Sequence, residues 1–405
     1  MLVFMWQQIS SNRTRSVVLT IGMGVLLLLL GYFLGMYFFD SGTVGLIFAL
    51  ILWIIMSLVA YFQGDNILLS MSQAKKIGPN DHQRLYNIVE EMKIASGLEA
   101  MPSIYVMDDP AMNAFATGRD PKKASVTVTS GLLQQLKRDE LQGVVGHEMS
   151  HIKNRDVLLM AMCSVLLGTI VILAWQASRF MLFGGMGGTR RSSSSGGGGA
   201  GQIIIIVVAI ALMILAPIMA QLIYFAISRK REYLADASSA LYTRYPDGLA
   251  SALEKISAST EQLKSANQAT APMYTVNPFR KQGRAAENLT STHPPISERI
   301  RILRSMGGAS FADYAAAYRQ VRDTGKVLIP AAAVTASGTV ALRAAQPETL
   351  EKVDEVQRAR ETSNLMWNLN NYNTITCDCG TKLRLPPNFK LPEIRCPHCG
   401  RINPL

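Results

Sequence analysis

Charge is absent from long stretches of this chain, and those gaps set its first outline. Ser16 to Phe39 carries no charged residue, Asp40-Ser41-Gly42-Thr43 supplies turn chemistry, and a second uncharged run continues to Gly64. Each run is long enough for a helix to cross a bilayer, which takes about 20 predominantly apolar residues. With so short a turn between them, residues 1–64 predict a transmembrane hairpin. The first run is longer than the core of a secretory signal, and no small-residue cleavage site follows it, so it is expected to stay on the protein as an anchor. Residues 157–178 and 203–228 are two further uncharged runs, the last interrupted by Pro217, and they bring the expected spans to about four. Between them lies a Gly/Ser-rich linker, 183–202, in which Ser192–Gly199 reads SSSSGGGG, a flexible composition.

The intervals between spans have other periods. Leu85, Ile88, Val89 and Met92 recur at helical spacing within Asp81–Leu98. Ser103–Met107 and Ser125–Thr129 are short, β-branched and bounded by Pro, Gly and Asp, the pattern of strands. Asn113–Gly118 between them predicts an edge strand. Asp139 is placed to cap a helix over LQGVVGHEMSHIKNRD, 141–156, and that helix is expected to run on into the third span. Gly143 and Gly146 inside it predict the close approach of a neighbouring backbone. The expected architecture is a mainly α membrane protein. Its hairpin is followed by an α+β domain over 65–308 that contains the third and fourth spans, a helical and linker region over 309–372, and a small cysteine-bearing module over 373–405.

Composition agrees with a membrane protein: of 405 residues, 49% are hydrophobic and only 17% charged. The net charge of +11 invites a nucleic-acid reading. However, the basic residues flank apolar segments and do not interleave with aromatics on one surface, which suits anionic headgroups and excludes nucleic acid as the expected partner. Arg13 and Arg15 precede the first span, Lys75 and Lys76 follow the second, and Arg229-Lys230-Arg231 follow the fourth, whereas the turn at 40–43 has no basic residue. By the positive-inside rule both termini and the soluble parts face the cytoplasm, against which only Arg179, Arg190 and Arg191 speak.

The candidate chemistry starts at His147-Glu148-Met149-Ser150-His151. Residues four apart share a helix face, so His147 and His151 can offer two imidazole nitrogens to one metal ion, with Glu148 beside them to take a proton from water. Zinc suits neutral imidazole and carboxylate with one position left for water. So short a pattern also recurs by chance and needs a third ligand. Glu232 and Asp236, directly after the fourth span, are again four apart. They fit a metal-binding carboxylate and a second carboxylate that holds a ligand histidine by its other nitrogen, or simply a solvated charged face. His151 and Glu232 both lie within a few residues of a span, so antiparallel packing of those spans would bring them together at the membrane surface. Arg229 or Arg231 serves either carboxylates behind the ligands or lipid headgroups.

Four motifs, HEMSHIKNRD, SRKREYLAD, NAFATG and STHPPISERI, stand in one order. With the membrane pattern, over roughly residues 10–305, they resemble the M48 family of membrane zinc metallopeptidases, and within it the HtpX branch. The resemblance implies a gluzincin-type α+β domain whose zinc is held by His147, His151 and Glu232, with Glu148 as general base. It also implies an enzyme of the bacterial inner membrane that cleaves polypeptides, expected to be misfolded or damaged membrane proteins. The long Gly/Ser linker and the cysteine module depart from the family pattern. An extended substrate could add to the edge strand at Asn113, Ala114, Phe115 and Ala116, or that strand could simply pack Phe115 inward. His293, before two prolines, is placed either to donate to the oxyanion or to hold a turn.

Cys377, Cys379, Cys396 and Cys399 form two short cysteine turns that resemble a zinc ribbon. A module this small lacks core, so bound metal would supply its folding energy. The first turn is C-x-C where C-x-x-C is usual, which leaves His398 as a substitute ligand and iron as a substitute metal. The competing reading of the whole chain is a non-catalytic membrane scaffold with structural zinc sites that recruits partners through the ribbon. An intact Glu148 speaks against it, since a structural site needs no base. The sequence sets no oligomeric state.

Overall fold

The structure, a computed structural model, describes residues 2–183, 229–264, 274–276, 294–322, 340–344 and 351–404, with isolated positions between them. Among the described residues, three helices hold runs long and apolar enough to cross a membrane. α1 (Leu2–Phe39) and α2 (Gly42–Met71) form the hairpin. Asp40 turns the chain through a left-handed conformation (φ 51°), and Ser41 Oγ caps α2 by accepting the Val44 N–H at 3.4 Å. Small residues let the two backbones touch: a Cβ on Gly35 would lie 2.5 Å from Gly45 Cα, and one on Gly31 2.3 Å from Ala49 Cβ. α6 (Asp156–Phe183) packs against both, with Leu159, Leu166 and Ile170 in one cluster with Met23 and Leu27 of α1 and Trp53 and Met56 of α2. The outward faces carry Val18, Ile47, Phe48, Ile51 and Leu58, all exposed, an apolar surface of the kind lipid covers. The linker 183–202 and the fourth predicted span, 203–228, fall outside the described residues apart from the backbone of residue 183 and isolated positions.

After the hairpin comes a sheet of four strands, β1 (Lys75–Ile77), β2 (Ser103–Met107), β3 (Ala114–Thr117) and β4 (Ser125–Thr129), in the order β1-β2-β4-β3. β2 and β4 run parallel, and β3 is the antiparallel edge, with Ala114 opposite Val128 and Ala116 opposite Val126. The three patterned strands form where the sequence predicts them. β1 is an addition: Lys-Lys-Ile has no apolar alternation, and only Ile77 is buried. α3 (Gln83–Ser96) buries Leu85, Ile88, Val89 and Met92, as its spacing requires. After the short α4 (Ser130–Gln135), α5 (Arg138–Lys153) carries the HEMSH motif and is buried from Glu140 to Ile152.

Two sequence expectations for α5 are corrected. Asp139 is not its cap: the helix begins one residue earlier, the Lys137 N–H is taken by Glu140 Oε2 at 2.7 Å, and Asp139 pairs with Arg343 at 2.9 Å instead. The helix also does not continue into the span. It ends at Lys153, Arg155 adopts a left-handed conformation (φ 57°), and α6 begins afresh at Asp156. A left-handed residue cannot continue a right-handed helix, so the chain changes direction there.

α7 (residues 229–243) and α8 (Pro246–Ala258) pack on α5. The α5 glycines allow it. A Cβ on Gly143 would stand 2.7 Å from the Leu249 N, and one on Gly146 3.1 Å from Ser239 Oγ. α9 (Ile296–Arg304), α10 (Phe311–Arg322) and α11 (Glu351–Leu369) add Ile302, Tyr314, Ala317 and Leu365 to the same core. The C-terminal module is two hairpins, β5 (Asn373–Thr376) with β6 (Lys382–Leu385) and β7 (Glu393–Arg395) with β8 (Ile402–Pro404). It meets α11 where Arg384 lies over the Trp367 ring, 5.2 Å from its centre.

The Gly143 contact sets a test. Alanine has the higher helix propensity by about 1 kcal/mol, but the neighbour here is backbone and cannot swing aside, and overpacking costs about 1–3 kcal/mol. Gly143→Ala is therefore expected to lower the thermal midpoint of the full chain in detergent. Gly22→Ala in α1, where nothing lies within 4 Å of the added methyl, should leave it level or raise it. Equal midpoints for both variants would show that the α5–α8 contact is not tight.

Candidate metal centre

α5 and α7 cross so that His147, His151 and Glu232 turn their donor atoms to one point. The two Nε2 atoms are 3.3 Å apart, His147 Nε2 is 3.5 Å from Glu232 Oε2, and His151 Nε2 is 3.5 Å from Glu232 Oε1. The other nitrogen of each ring is held by a carboxylate. Asp236 Oδ1 lies 3.0 Å from His147 Nδ1, and Asp156 Oδ2 lies 3.3 Å from His151 Nδ1. Each carboxylate accepts a hydrogen bond from the Nδ1–H, which keeps the proton there and leaves the Nε2 lone pair facing inward. Three lone-pair acceptors at this spacing repel one another without a cation among them. Tetrahedral zinc with bonds of about 2.05 Å would separate its ligands by about 3.3 Å, which these distances fit.

The charge balance points the same way. The buried shell holds the carboxylates of Glu148, Glu232, Asp236 and Asp156 and the guanidiniums of Arg231 and Arg299. Among the described residues, four negative groups against two positive leave a surplus that one divalent cation would cancel. Burial works most strongly against a charged imidazole. Nevertheless the contacts with Asp156 and Glu232 push His151 up to about 10, and those with Asp236 and Glu232 raise His147. The pocket draws positive charge to this point, as metal or as protons. Arg299 is fully buried and grips Asp236 with two hydrogen bonds, at 2.8 and 2.7 Å, and reaches Glu232 at 3.4 Å. Its own pairing with Asp236 outweighs burial and holds that carboxyl below the ordinary range. Arg231 Nη1 pairs with Asp156 at 3.2 Å, so it serves the carboxylate behind a ligand and not a headgroup.

Glu148 is almost fully buried and accepts the Thr275 hydroxyl at 2.7 Å. Ala114, Phe115 and Ala116 lie in the edge strand and Asn113 directly before it, on the side of the sheet next to α5. Phe115 does point inward, into a cluster with Met107, Leu69, Met160 and Tyr274. His293 lies outside the described residues. Three neighbours of the centre escape the sequence reading of roles. Asp156 and Arg299 both stand inside motifs, but only the turn at Arg155 and the start of α9 show what they touch. Thr275 has no motif at all.

The four cysteine sulfurs make a second group. Cys377 and Cys399 Sγ are 3.6 Å apart, and Cys379 and Cys396 Sγ 3.7 Å. Zinc–sulfur bonds of about 2.3 Å in a tetrahedron would give about 3.75 Å, so these sulfurs too fit one ion. Gly380 (φ 84°) and Gly400 (φ 74°) close the two turns. His398 is exposed and outside the group.

Comparison with known proteins adds the family. The model of peptidase family M48 matches residues 79–307. A protease HtpX homolog of Dictyoglomus thermophilum is 43% identical over 75% of this chain and 95% of its own length. One of Lactobacillus helveticus is 41% identical over 75% of this chain and the whole of its own. A crystal structure of S. mikatae Ste24p is similar at a TM-score of 0.38 and 20% identity, over 73% of this chain and 65% of that one. With a family match over more than half its residues and such relatives along most of its length, the chain belongs to peptidase family M48.

Proposed function

We propose that this metallopeptidase is an integral membrane zinc endopeptidase that works at the cytoplasmic face of a bacterial inner membrane on misfolded or damaged membrane proteins. The observation that carries the reading is the meeting of His147, His151 and Glu232 beside Glu148, five residues before a span begins at Asp156. Zinc bound there would polarise the scissile carbonyl and acidify a water. Glu148 takes the proton of the attacking water and returns it to the leaving amine. Asp236 and Asp156 keep the ligand rings in the right tautomer, and Arg299 and Arg231 hold those two carboxylates in place. Asn113 to Ala116 would hold an extended substrate by its main chain, and His293 would donate to the carbonyl oxygen as it gains charge.

The location is supported by the basic residues around the spans, which are absent from the turn at 40–43. The ends of α2 and α6 next to the centre lie opposite that turn, so the site and the basic clusters share a side. A site at the start of a span suits chains that leave the bilayer, which supports membrane proteins as substrates. The cysteine module is read as a structural zinc site for recognition of a partner or substrate.

Glu148→Gln is expected to lower the cleavage rate of an unfolded membrane protein in detergent about 100- to 10,000-fold while its metal content stays that of the parent. Equal cleavage by the two proteins would sink the catalytic role of Glu148. Metal counting separates the two sites. Glu232→Ala should lose the ion at the histidines and keep the one at the cysteines, and Cys396→Ser should do the reverse. A Glu232→Ala protein with an undiminished metal count would remove Glu232 from the ligand set.

A further inference from the structure

The outer edge of β3, where a substrate strand would add, is already occupied by a short segment of this chain, Tyr274-Thr275-Val276. The Asn113 carbonyl faces β4 and accepts the Thr129 N–H at 3.1 Å, so the next carbonyl, Ala114, faces outward. It accepts the Thr275 N–H at 2.9 Å. The Asn113 carboxamide brackets Val276, donating to its carbonyl at 2.9 Å and accepting its N–H at 3.4 Å. Arg299 Nη1 donates to the Thr275 carbonyl at 3.3 Å. The Ala114 carbonyl and the Asn113 carboxamide, the first groups an added strand would meet there, are therefore taken.

The side chains fill the groove as well. Tyr274 enters the apolar cluster and meets Phe115 edge-on, with ring centres 5.2 Å apart. The floor of that pocket is Leu68 and Leu69 from the end of α2 and Met160 and Ala161 from the start of α6. The Thr275 hydroxyl reaches both Glu148 Oε1 at 2.7 Å and the Ala114 carbonyl at 2.9 Å, and its single proton serves one acceptor at a time. Glu148 and the three ligands are each less than 5% exposed. A polypeptide cannot reach the centre in this arrangement. The segment is not itself presented for cleavage, because its hydroxyl, and not its carbonyl, faces the general base, while the carbonyl is turned to Arg299.

We propose that Tyr274-Thr275-Val276 is an internal occupant of the substrate groove, which an incoming extended chain displaces by taking over its contacts with Ala114, Asn113 and Arg299, and that the pocket it vacates selects a large apolar or aromatic side chain. This rests on the peptidase reading of the same site. The exchange trades like hydrogen bonds for like, so a chain competes only if it can present a bare extended strand. A folded protein keeps its main-chain groups paired except at protected sheet edges, and an apolar segment pulled loose from a membrane does not.

Tyr274→Gly and Thr275→Gly weaken the occupant without touching a metal ligand. In full-length zinc-loaded protein, each is expected to raise kcat/KM about tenfold or more, the equivalent of one or two net hydrogen bonds. The probe is an unstructured peptide with blocked ends and a single phenylalanine, and its Phe→Ala counterpart should be the poorer substrate. A fall or no change in both variants, with metal content intact, overturns the proposal. Hydrogen exchange in Glu148→Gln tests it without catalysis. The Thr275 amide should be protected alone and exchange faster once the phenylalanine peptide binds, and protection that persists at saturating peptide also overturns it. If no version cleaves but exchange at Thr275 responds to peptide, the peptidase reading fails and the occupied groove stands.

Discussion

Two imidazole nitrogens and a carboxylate oxygen aimed at one point inside a protein repel each other unless a cation stands between them. The arrangement around His147, His151 and Glu232 exists to hold that unfavourable geometry. α5 can be buried on all sides only because its polar side chains have built-in partners: Glu148 with Thr275, His147 with Asp236, His151 with Asp156. An unpaired charge at any of these positions would cost several kcal/mol. The two α5 glycines belong to the same design. They bring α7 and α8 close enough for Ser239 to donate to the Gly143 carbonyl at 2.7 Å, which sets the distance from which Glu232 and Asp236 reach the histidines.

The break between α5 and α6 couples this centre to the membrane. Had the helix run straight on, Asp156 would have pointed away from His151, being five residues further along a period of about 3.6. The left-handed turn at Arg155 folds it back. Asp156 thereby does two jobs. It sits in the first turn of α6, where the helix dipole favours an anion, and it orients a ligand while pairing with Arg231. Movement of the span would be felt at His151 through one carboxylate.

Much of this was legible in the residues. Uncharged length marked the hairpin and the third span, alternation marked three of the four strands of the sheet, and two pairs of residues four apart put the ligand candidates on common helix faces. The break after Lys153 was not, since HEMSHIKNRD and the apolar run behind it have no proline or glycine between them, and a left-handed arginine leaves no mark. Asp139 misled for a related reason. Its residue type suits a cap, but Glu140 is better placed to accept the Lys137 N–H, and the tertiary partner Arg343 claims Asp139. Arg299 lay within a recognised motif, yet its role depends on α9 lying across α7, a contact of high sequence separation with no local signal. Thr275 belongs to the same class: its meaning is wholly in what it touches.

An almost fully buried candidate centre raises the question of what opens it, and the surroundings of Tyr274 bear on the answer. The residues under that ring are the ends of two membrane helices, so the pocket is apolar because the bilayer boundary is apolar. A substrate side chain that fits there is one that was also at home in the membrane. On the proposed reading, main-chain capture at Ala114 and Asn113 would ask only that the chain be extended, and the pocket only that it be apolar. Neither demands a particular sequence. If the proposed exchange of strands holds, selection by state instead of by sequence would follow from those two requirements together, because a well-folded membrane protein satisfies the second inside the bilayer but withholds the first.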